Sequence, residues 1–316
     1  MKKSSQKYQN IYLMEKKVHK SVLYNEVIEG LNINPEGKYI DATLGYGGHS
    51  SGVLGLLNEK GFLFAFDQDE DAIKYSLDRL SKISNNFKII KSNFKDMKNY
   101  ISDSIDGVMF DLGVSSPQLD TPERGFSYHY DAPLDMRMDK DAKLTAYDVV
   151  NNYPIEKLID IFFVYGEEKY SKNIAKNIIS NRPINTTLEL AEIIKNSVPE
   201  SYRNKSHPAR KIFQAIRIEV NNELKILEGS INDAFSLLKP GGRMCVITFH
   251  SLEDKIVKRV FNNLCKDSND LNLPYIPEEL KAKAKLITKK PITPSDEELK
   301  ENNRSRSAKL RIIEKI

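Results

Sequence analysis

From residue 22 to residue 111, short continuous apolar runs alternate with segments whose apolar residues recur at helical spacing. Val22 to Leu31 follows the helical period, Pro35-Glu36-Gly37 breaks it, and Tyr39-Ile40 forms a first strand ending at Asp41. Gly45 to Gly48 turns the chain into a helix with Val53, Leu54, Leu56 and Leu57 on its apolar positions. Gly61 stops that helix, and Phe62 to Phe66 reads as a buried strand ending at Asp67. The alternation continues with a helix near 69–80, a strand at 87–90, a short helix near 94–101 and a strand at 107–110. Strands apolar on both faces and separated by amphipathic helices predict a parallel sheet covered on both sides. Right-handed crossovers make it doubly wound.

The alternation breaks after Asp111. Positions 121–217 hold helix-like segments (146–150, 155–164, 174–179, 188–198) between proline-containing turns, with no convincing strand. The sheet pattern resumes with one helix from Ile218 to Leu238, a turn at Lys239-Pro240-Gly241-Gly242, a strand from Arg243 to Phe249 and a helix from Leu252 to about Cys265. The predicted organisation is a discontinuous α/β domain, 1–120 with 218–316, interrupted by an inserted helical domain at 121–217. The polar stretch from Lys266 to Asn303 has the composition of a loop or arm, and Lys309 to Ile313 reads as a last strand.

Composition narrows the class. The chain has 316 residues, 40% of them hydrophobic, which is enough for a sizeable core. No apolar run approaches the roughly 18 residues of a membrane span, and the polar N-terminus leads into no signal-like apolar core, so the expected location is the cytoplasm. Cys245 and Cys265 form no CxxC pair, and the five histidines show no HxxxH spacing, so neither a disulfide framework nor a protein metal is expected. The net charge of +4 hides an asymmetry: residues 1–20 hold six Lys and one Glu, and residues 281–316 hold eleven Lys/Arg against five Asp/Glu. Basic ends on an acidic middle suggest a polyanionic partner or solvated tails.

A strand, a glycine-rich turn and a helix bring backbone N–H groups close to a ligand. Here the turn is Gly45-x-Gly47-Gly48, followed by His49, and Asp67 closes the next strand 20 positions after Gly47. That is the usual place for a carboxylate that accepts hydrogen bonds from ribose hydroxyls. An adenosine-type cofactor follows, and spacing alone leaves both a nicotinamide and S-adenosylmethionine (SAM) open. Ser50 stands where the dinucleotide fingerprint has its third glycine. Asp41, just before the turn, suits an ammonium- and sulfonium-bearing ligand better than a pyrophosphate.

The fourth strand ends in Asp111-Leu112-Gly113-Val114-Ser115-Ser116-Pro117-Gln118. Residues just past strand C-termini face the ligand crevice of an open α/β sheet, so Asp111, Ser115, Ser116 and Pro117 are candidate catalytic residues. The alternative is a polar loop with Asp111 as a cap. Methylating an exocyclic amine needs acceptors that hold its N–H groups while the lone pair turns toward the methyl. At the end of the fifth strand, Phe249 could stack on a base and His250 could relay a proton, or Phe249 could be core while Ser251 and Asp254 form a helix capping box.

Long stretches of this chain resemble one family, the bacterial 16S ribosomal RNA cytosine-N4 methyltransferases called RsmH, formerly MraW. They are His19 to Leu23, Asp41 to Ser50, Asp111 to Asp120, Arg124 to Ser127, Asp131 to Asp139 (DAPLDMRMD), His207 to Leu224, Thr248 to Asp254 and Arg304 to Arg311. The resemblance implies a Rossmann-like class I methyltransferase sheet with an inserted all-helical domain. It implies SAM as methyl donor and, as acceptor, a cytosine in the decoding region of 16S ribosomal RNA in the small ribosomal subunit. Carried over residue by residue, it gives Gly47, Gly48, His49, Asp67, Phe94, Asp111 and Gln118 as cofactor contacts. Ser116-Pro117-Gln118 lacks the second proline and the aromatic of the amino-methylating enzymes of DNA.

In the insert, the acids of DAPLDMRMD and Arg137 read as a salt-bridge cluster fixing the insert on the catalytic domain. Lys205, Arg210 and Lys211 beside His207, together with Arg304, Arg306, Lys309 and Arg311, are candidate grips on RNA phosphates. A membrane is not an expected partner, and a homodimer is one candidate assembly. Competing readings are a methyltransferase acting on DNA or another amine, a non-catalytic RNA-binding protein with a cofactor pocket, and a nicotinamide oxidoreductase.

Overall fold

The computed structural model describes residues 21–204, 207–267 and 277–316. The Lys-rich leader, Lys205 and part of the polar arm lie outside the described residues. Two compact units divide the chain: one runs to Gly113 and resumes at Ile226, and the other spans Val114–Lys225.

The first unit is built on seven strands: β1 (Lys38–Asp41), β2 (Phe62–Asp67), β3 (Phe87–Lys91), β4 (Ile105–Asp111), β5 (Leu238–Thr248), β6 (Ala284–Leu286) and β7 (Lys309–Lys315). They lie in the order β3-β2-β1-β4-β5-β7-β6. β1 to β5 pair in parallel, and β7 runs antiparallel to both β5 and β6. This is the Rossmann-like α/β sheet expected of a class I methyltransferase. Side-chain alternation splits its central strands between two cores: Val108, Phe110, Met244 and Val246 pack on one, and Met109, Cys245 and Ile247 on the other. A strand buried on both faces must be apolar at consecutive positions, which is why these runs show no polar alternation.

One expected turn is part of a strand. Ile105 pairs with Leu238 and Gly107 with Arg243, so Lys239-Pro240-Gly241-Gly242 is an extra loop within β5, with Gly241 at φ 81°. Such a bulge leaves residues unpaired without ending the strand. β6 was not foreseen either, because it falls within the stretch whose composition reads as an arm. No helix among the described residues is long and apolar enough to cross a membrane.

The second unit is helical, with helices at Ser116–Asp120, Ala146–Asn152, Ile155–Val164, Ser171–Ser180, Thr187–Asn196, Glu200–Arg203 and Ala209–Asn221. Its core gathers Val149, Phe162, Ile174, Ile178, Leu190, Ile212, Phe213 and Ile216. The segment read as one helix from Ile218 to Leu238 is two, because Asn222 takes the left-handed conformation (φ 53°) between Ala209–Asn221 and Glu223–Leu237. The unit therefore extends past the edge expected after Arg217: Val220, at the end of the first helix, lies in its core. At the other edge it begins at Val114 rather than near Thr121.

The DAPLDMRMD stretch is braced within this helical unit. Arg137 donates to both carboxylate oxygens of Asp135 (Nε to Oδ1 3.0 Å, a terminal N to Oδ2 2.7 Å) and to the carbonyls of Lys140 and Ala142. Asn221 accepts from the backbone N–H of Met138 and donates to the carbonyl of Met136. The guanidinium holds the Asp135 carboxyl below its usual range against the opposing effect of burial. These partners all belong to the helical unit.

Candidate active site

In the first unit, the C-terminal ends of β1, β2 and β4 each deliver a carboxylate. Asp41 ends β1 and is buried, accepting from the Thr43 backbone (3.1 Å) and from Ser50 Oγ (2.7 Å). Asp67 ends β2, and its two oxygens take the backbone N–H groups of Gly45 (2.8 Å) and Asp69 (2.9 Å). Asp111 ends β4. Its backbone N–H donates to Thr43 Oγ1, while its Oδ1 is buried without a hydrogen-bond partner among the described residues.

Between Asp41 and Asp67 stands the glycine turn, with Gly45 at φ 50° and Gly47 at φ 72°. Ser76 donates to the Gly45 carbonyl and Arg79 to that of Tyr46, so the turn is fixed from outside. A Cβ at Gly48 would collide with Ser21, whereas one at Gly45 would meet only the Thr43 carbonyl at 3.9 Å. Gly48 is required by packing. Gly45 keeps backbone open to a ligand.

His49 follows on the helix Gly48–Leu56, 6% exposed and stacked on Tyr24. Its Nε2 lies 3.1 Å from the Val22 carbonyl, which can only accept, so Nε2 holds the proton of the neutral ring. Burial pushes His49 down to about 4, keeping it neutral. Nδ1 is then a bare acceptor 3.5 Å from Asp111 Oδ2. A carboxylate there would meet a lone pair, while a protonated Asp111 could donate to it. Burial, then the charges of Asp41, Glu253 and Glu298, push Asp111 up to about 8. Its side chain is still 30% exposed.

Asp41 rises to about 6 and Asp67 to about 7, in both cases chiefly through burial. All three folded values exceed the unfolded value of 3.8, so these sites hold more protons in the folded chain, which outweighs the one proton that His49 gives up between about 4 and 6.5. Stability of the ligand-free protein should therefore fall as pH climbs from roughly 4 through 8. Thermal melts across that range test this, and a Tm that rises steadily to pH 8 would contradict it.

Phe94 opens the 3-10 turn Phe94–Asn99 and packs edge-on against Phe110, with ring centroids 5.6 Å apart. The chain's arm also reaches this unit's site. Glu298, on the helix Asp296–Glu301, accepts from the Leu23 backbone N–H at 2.9 Å across 275 positions. Leu23 follows Val22, whose carbonyl takes the His49 proton. The arm thus braces the histidine that faces Asp111, a link with no local sequence signal.

Several expected roles change. His250 is the N-cap of the helix Ser251–Leu264, and the capping box pairs it with Glu253 rather than Ser251 with Asp254. Glu253 takes the backbone N–H groups of Phe249 and His250 (2.8 and 3.3 Å). His250 Nε2 lies 3.1 Å from Glu253 Oε1 but off any hydrogen-bond direction, and it is buried. A free proton relay is not what this position offers. Asp254 is drawn away by Arg311 (2.8 Å) and Lys309 (3.2 Å), so these two candidate phosphate grips are engaged in an ion cluster, and Arg311 is only 13% exposed.

In the helical unit, Ser115 and Gln118 form a capping box on Ser116–Asp120: Gln118 Oε1 accepts the Ser115 N–H and Ser115 Oγ accepts the Gln118 N–H. Gln118 is 7% exposed. Pro117 lies in the first turn, where a missing N–H costs nothing. Ser115 and Gln118 are thus committed to the turn, while Ser116 has no such assigned role. Lys211 donates to the Glu167 carbonyl and to Tyr202, and Arg210, Arg304 and Arg306 are exposed.

Comparison with known proteins adds an identity to this geometry. Solved structures similar to the chain include an rRNA methylase from Streptococcus thermophilus, 14% identical with a TM-score of 0.41, over 93% of this chain and 93% of that one. Another is a SAM-dependent O-methyltransferase from Thermotoga maritima, 10% identical with a TM-score of 0.42, over 96% of this chain and 69% of that one. The model of the MraW methylase family matches residues 16–316. With nearly the whole sequence matched, the chain belongs to the MraW methylase family.

Proposed function

We propose that the protein transfers a methyl group from SAM to the exocyclic N4 of a cytosine in the decoding region of 16S ribosomal RNA. The observation that supports it best is the group of three carboxylates held above their ordinary range beside an open glycine turn, with Asp111 Oδ1 buried and unpartnered. A site short of positive charge fits a ligand bearing an ammonium and a sulfonium, and it disfavours the pyrophosphate of a nicotinamide cofactor. Asp67 would accept the ribose hydroxyls, Phe94 would lie against the adenine, the Gly45–Gly47 backbone would border the ligand, and Asp111 would accept from its ammonium group. SAM, when bound, supplies a methyl activated by the positive sulfur.

The chain's own residues then prepare the site. Beside a bound cation Asp111 would be held ionised, with its buried Oδ1 as the acceptor. His49 stays neutral because burial disfavours its charge. Ser116 and Pro117 remain candidates for the acceptor side, where positioning of the amine supplies most of the acceleration.

The test is radiolabelled methyl transfer to small ribosomal subunits from a strain lacking this gene, followed by nucleoside analysis. We expect label in N4-methylcytidine. Label in another nucleoside refutes the cytosine assignment, and no label on intact subunits refutes the substrate.

A further inference from the structure

The helical unit holds a concavity of its own, of about 600 Å³, lined by Tyr128, Leu188, Glu192, Lys195, Arg203 and His207 among others. Its wall is a pair of stacked rings. His207 lies on Tyr128 with centroids 4.8 Å apart and planes 12° from parallel. Phe213, in the core, packs edge-on against Tyr128 at 5.5 Å, so the phenol ring is fixed from within and His207 is the exposed outer ring. The Ala209 backbone N–H donates to His207 Nδ1 at 3.3 Å, which sets the plane of the imidazole. Burial, then the neighbouring His129 and Lys195, hold His207 below its usual range, so the ring is neutral near pH 7.

The opposite side combines apolar and charged groups. Leu188, on Thr187–Asn196, is 43% exposed and presents an aliphatic surface to the concavity. Lys195 pairs with Glu192 at 3.0 Å, both side chains being about half exposed. Arg203 is anchored through Nε to the Val198 carbonyl at 3.1 Å. The lining thus offers a flat neutral ring, an aliphatic contact, two cations and one carboxylate acceptor.

We propose that this concavity binds one unpaired nucleotide of the RNA strand, its base stacked on His207 and its phosphate held by Arg203 and Lys195. The inference rests on the RNA-methylating reading above and adds a separate contact to it. Single-stranded RNA is gripped by such pairings of a ring platform with cations, since every base has a π-face. The volume suits one splayed nucleotide, whereas a duplex keeps its bases stacked on each other. Glu192 can accept from an exocyclic amino group, giving a mild base preference. An acidic peptide would satisfy the cations but has no need of the stacked rings.

The experiment measures fluorescence anisotropy of a labelled single-stranded RNA of roughly twelve nucleotides, a hairpin of equal length and an acidic aromatic peptide. Each is titrated against the full chain, with SAM binding by calorimetry as a control for folding. His207→Ala should weaken single-strand binding about tenfold, and His207→Phe should restore most of it, because stacking survives. Arg203→Glu should weaken it by about as much and flatten the salt dependence. Unchanged single-strand affinity in both His207→Ala and Arg203→Glu overturns the proposal, as does a loss confined to the peptide. These readouts do not depend on methyl transfer. A wild type that methylates subunits with an RNA KM unmoved by the variants removes the pocket alone. A wild type that binds RNA through His207 yet transfers no methyl removes the proposed reaction alone.

Discussion

Asp111→Ala should lower methyl transfer by about 10³-fold or more, the usual scale for losing a preorganised charged group at a reacting centre, while leaving the protein folded. Among the described residues the side chain's close partner is His49 Nδ1 at 3.5 Å, and it is the backbone N–H, retained in alanine, that bonds to Thr43. A carboxyl pushed up to about 8 by burial is one whose ionised form the fold disfavours. Its removal should leave stability equal or higher above neutral pH, and the fall of Tm with pH should become shallower. Steady-state kinetics and melts on the same preparation decide the matter. Normal turnover in the variant removes Asp111 from the site, and a collapsed Tm makes it structural.

Gly125→Ala should cost the helical unit on the order of 3 kcal/mol or more. Gly125 ends the short turn Pro122–Arg124 at φ 70°, where an L side chain is strained. The added Cβ would also strike the Pro133 carbonyl and come within 2.8 Å of the Asp135 backbone nitrogen. Neither atom swings aside freely: the Asp135 N–H donates to the Pro133 carbonyl, the Met136 N–H donates to the Arg124 carbonyl, and Arg137 holds the Asp135 carboxylate. Chemical denaturation gives the number directly, and a change below about 1 kcal/mol would mean that the segment yields more readily than its hydrogen bonds imply.

The parts of the protein legible in its sequence are those encoded by neighbours. The parallel strands show as unbroken apolar runs, and the cofactor turn shows because glycines and flanking carboxylates sit within one βαβ unit. The helix start near 250 shows how far local reasoning reaches. Ser251 with Asp254 and His250 with Glu253 both satisfy the capping spacing, and the choice is made by Arg311 and Lys309, more than 50 positions away, which claim Asp254. Likewise the break at Asn222 has no Gly or Pro to announce it. Ser115 to Gln118 reads as a row of reactive groups until the backbone shows two of them bonded to each other. Glu298 is hidden by the opposite problem: a buried acid in a stretch whose composition says arm.

The bond from Leu23 to Glu298 ties together two segments 275 positions apart. Translation delivers these pieces in the wrong order for early use. The glycine turn is synthesised some 250 residues before Glu298, which braces the segment behind His49, and N-terminal segments begin folding before synthesis ends. A nascent or prematurely terminated chain would therefore present the turn without its support. The support behind His49 is assembled only once Glu298 has been made and has packed against Leu23.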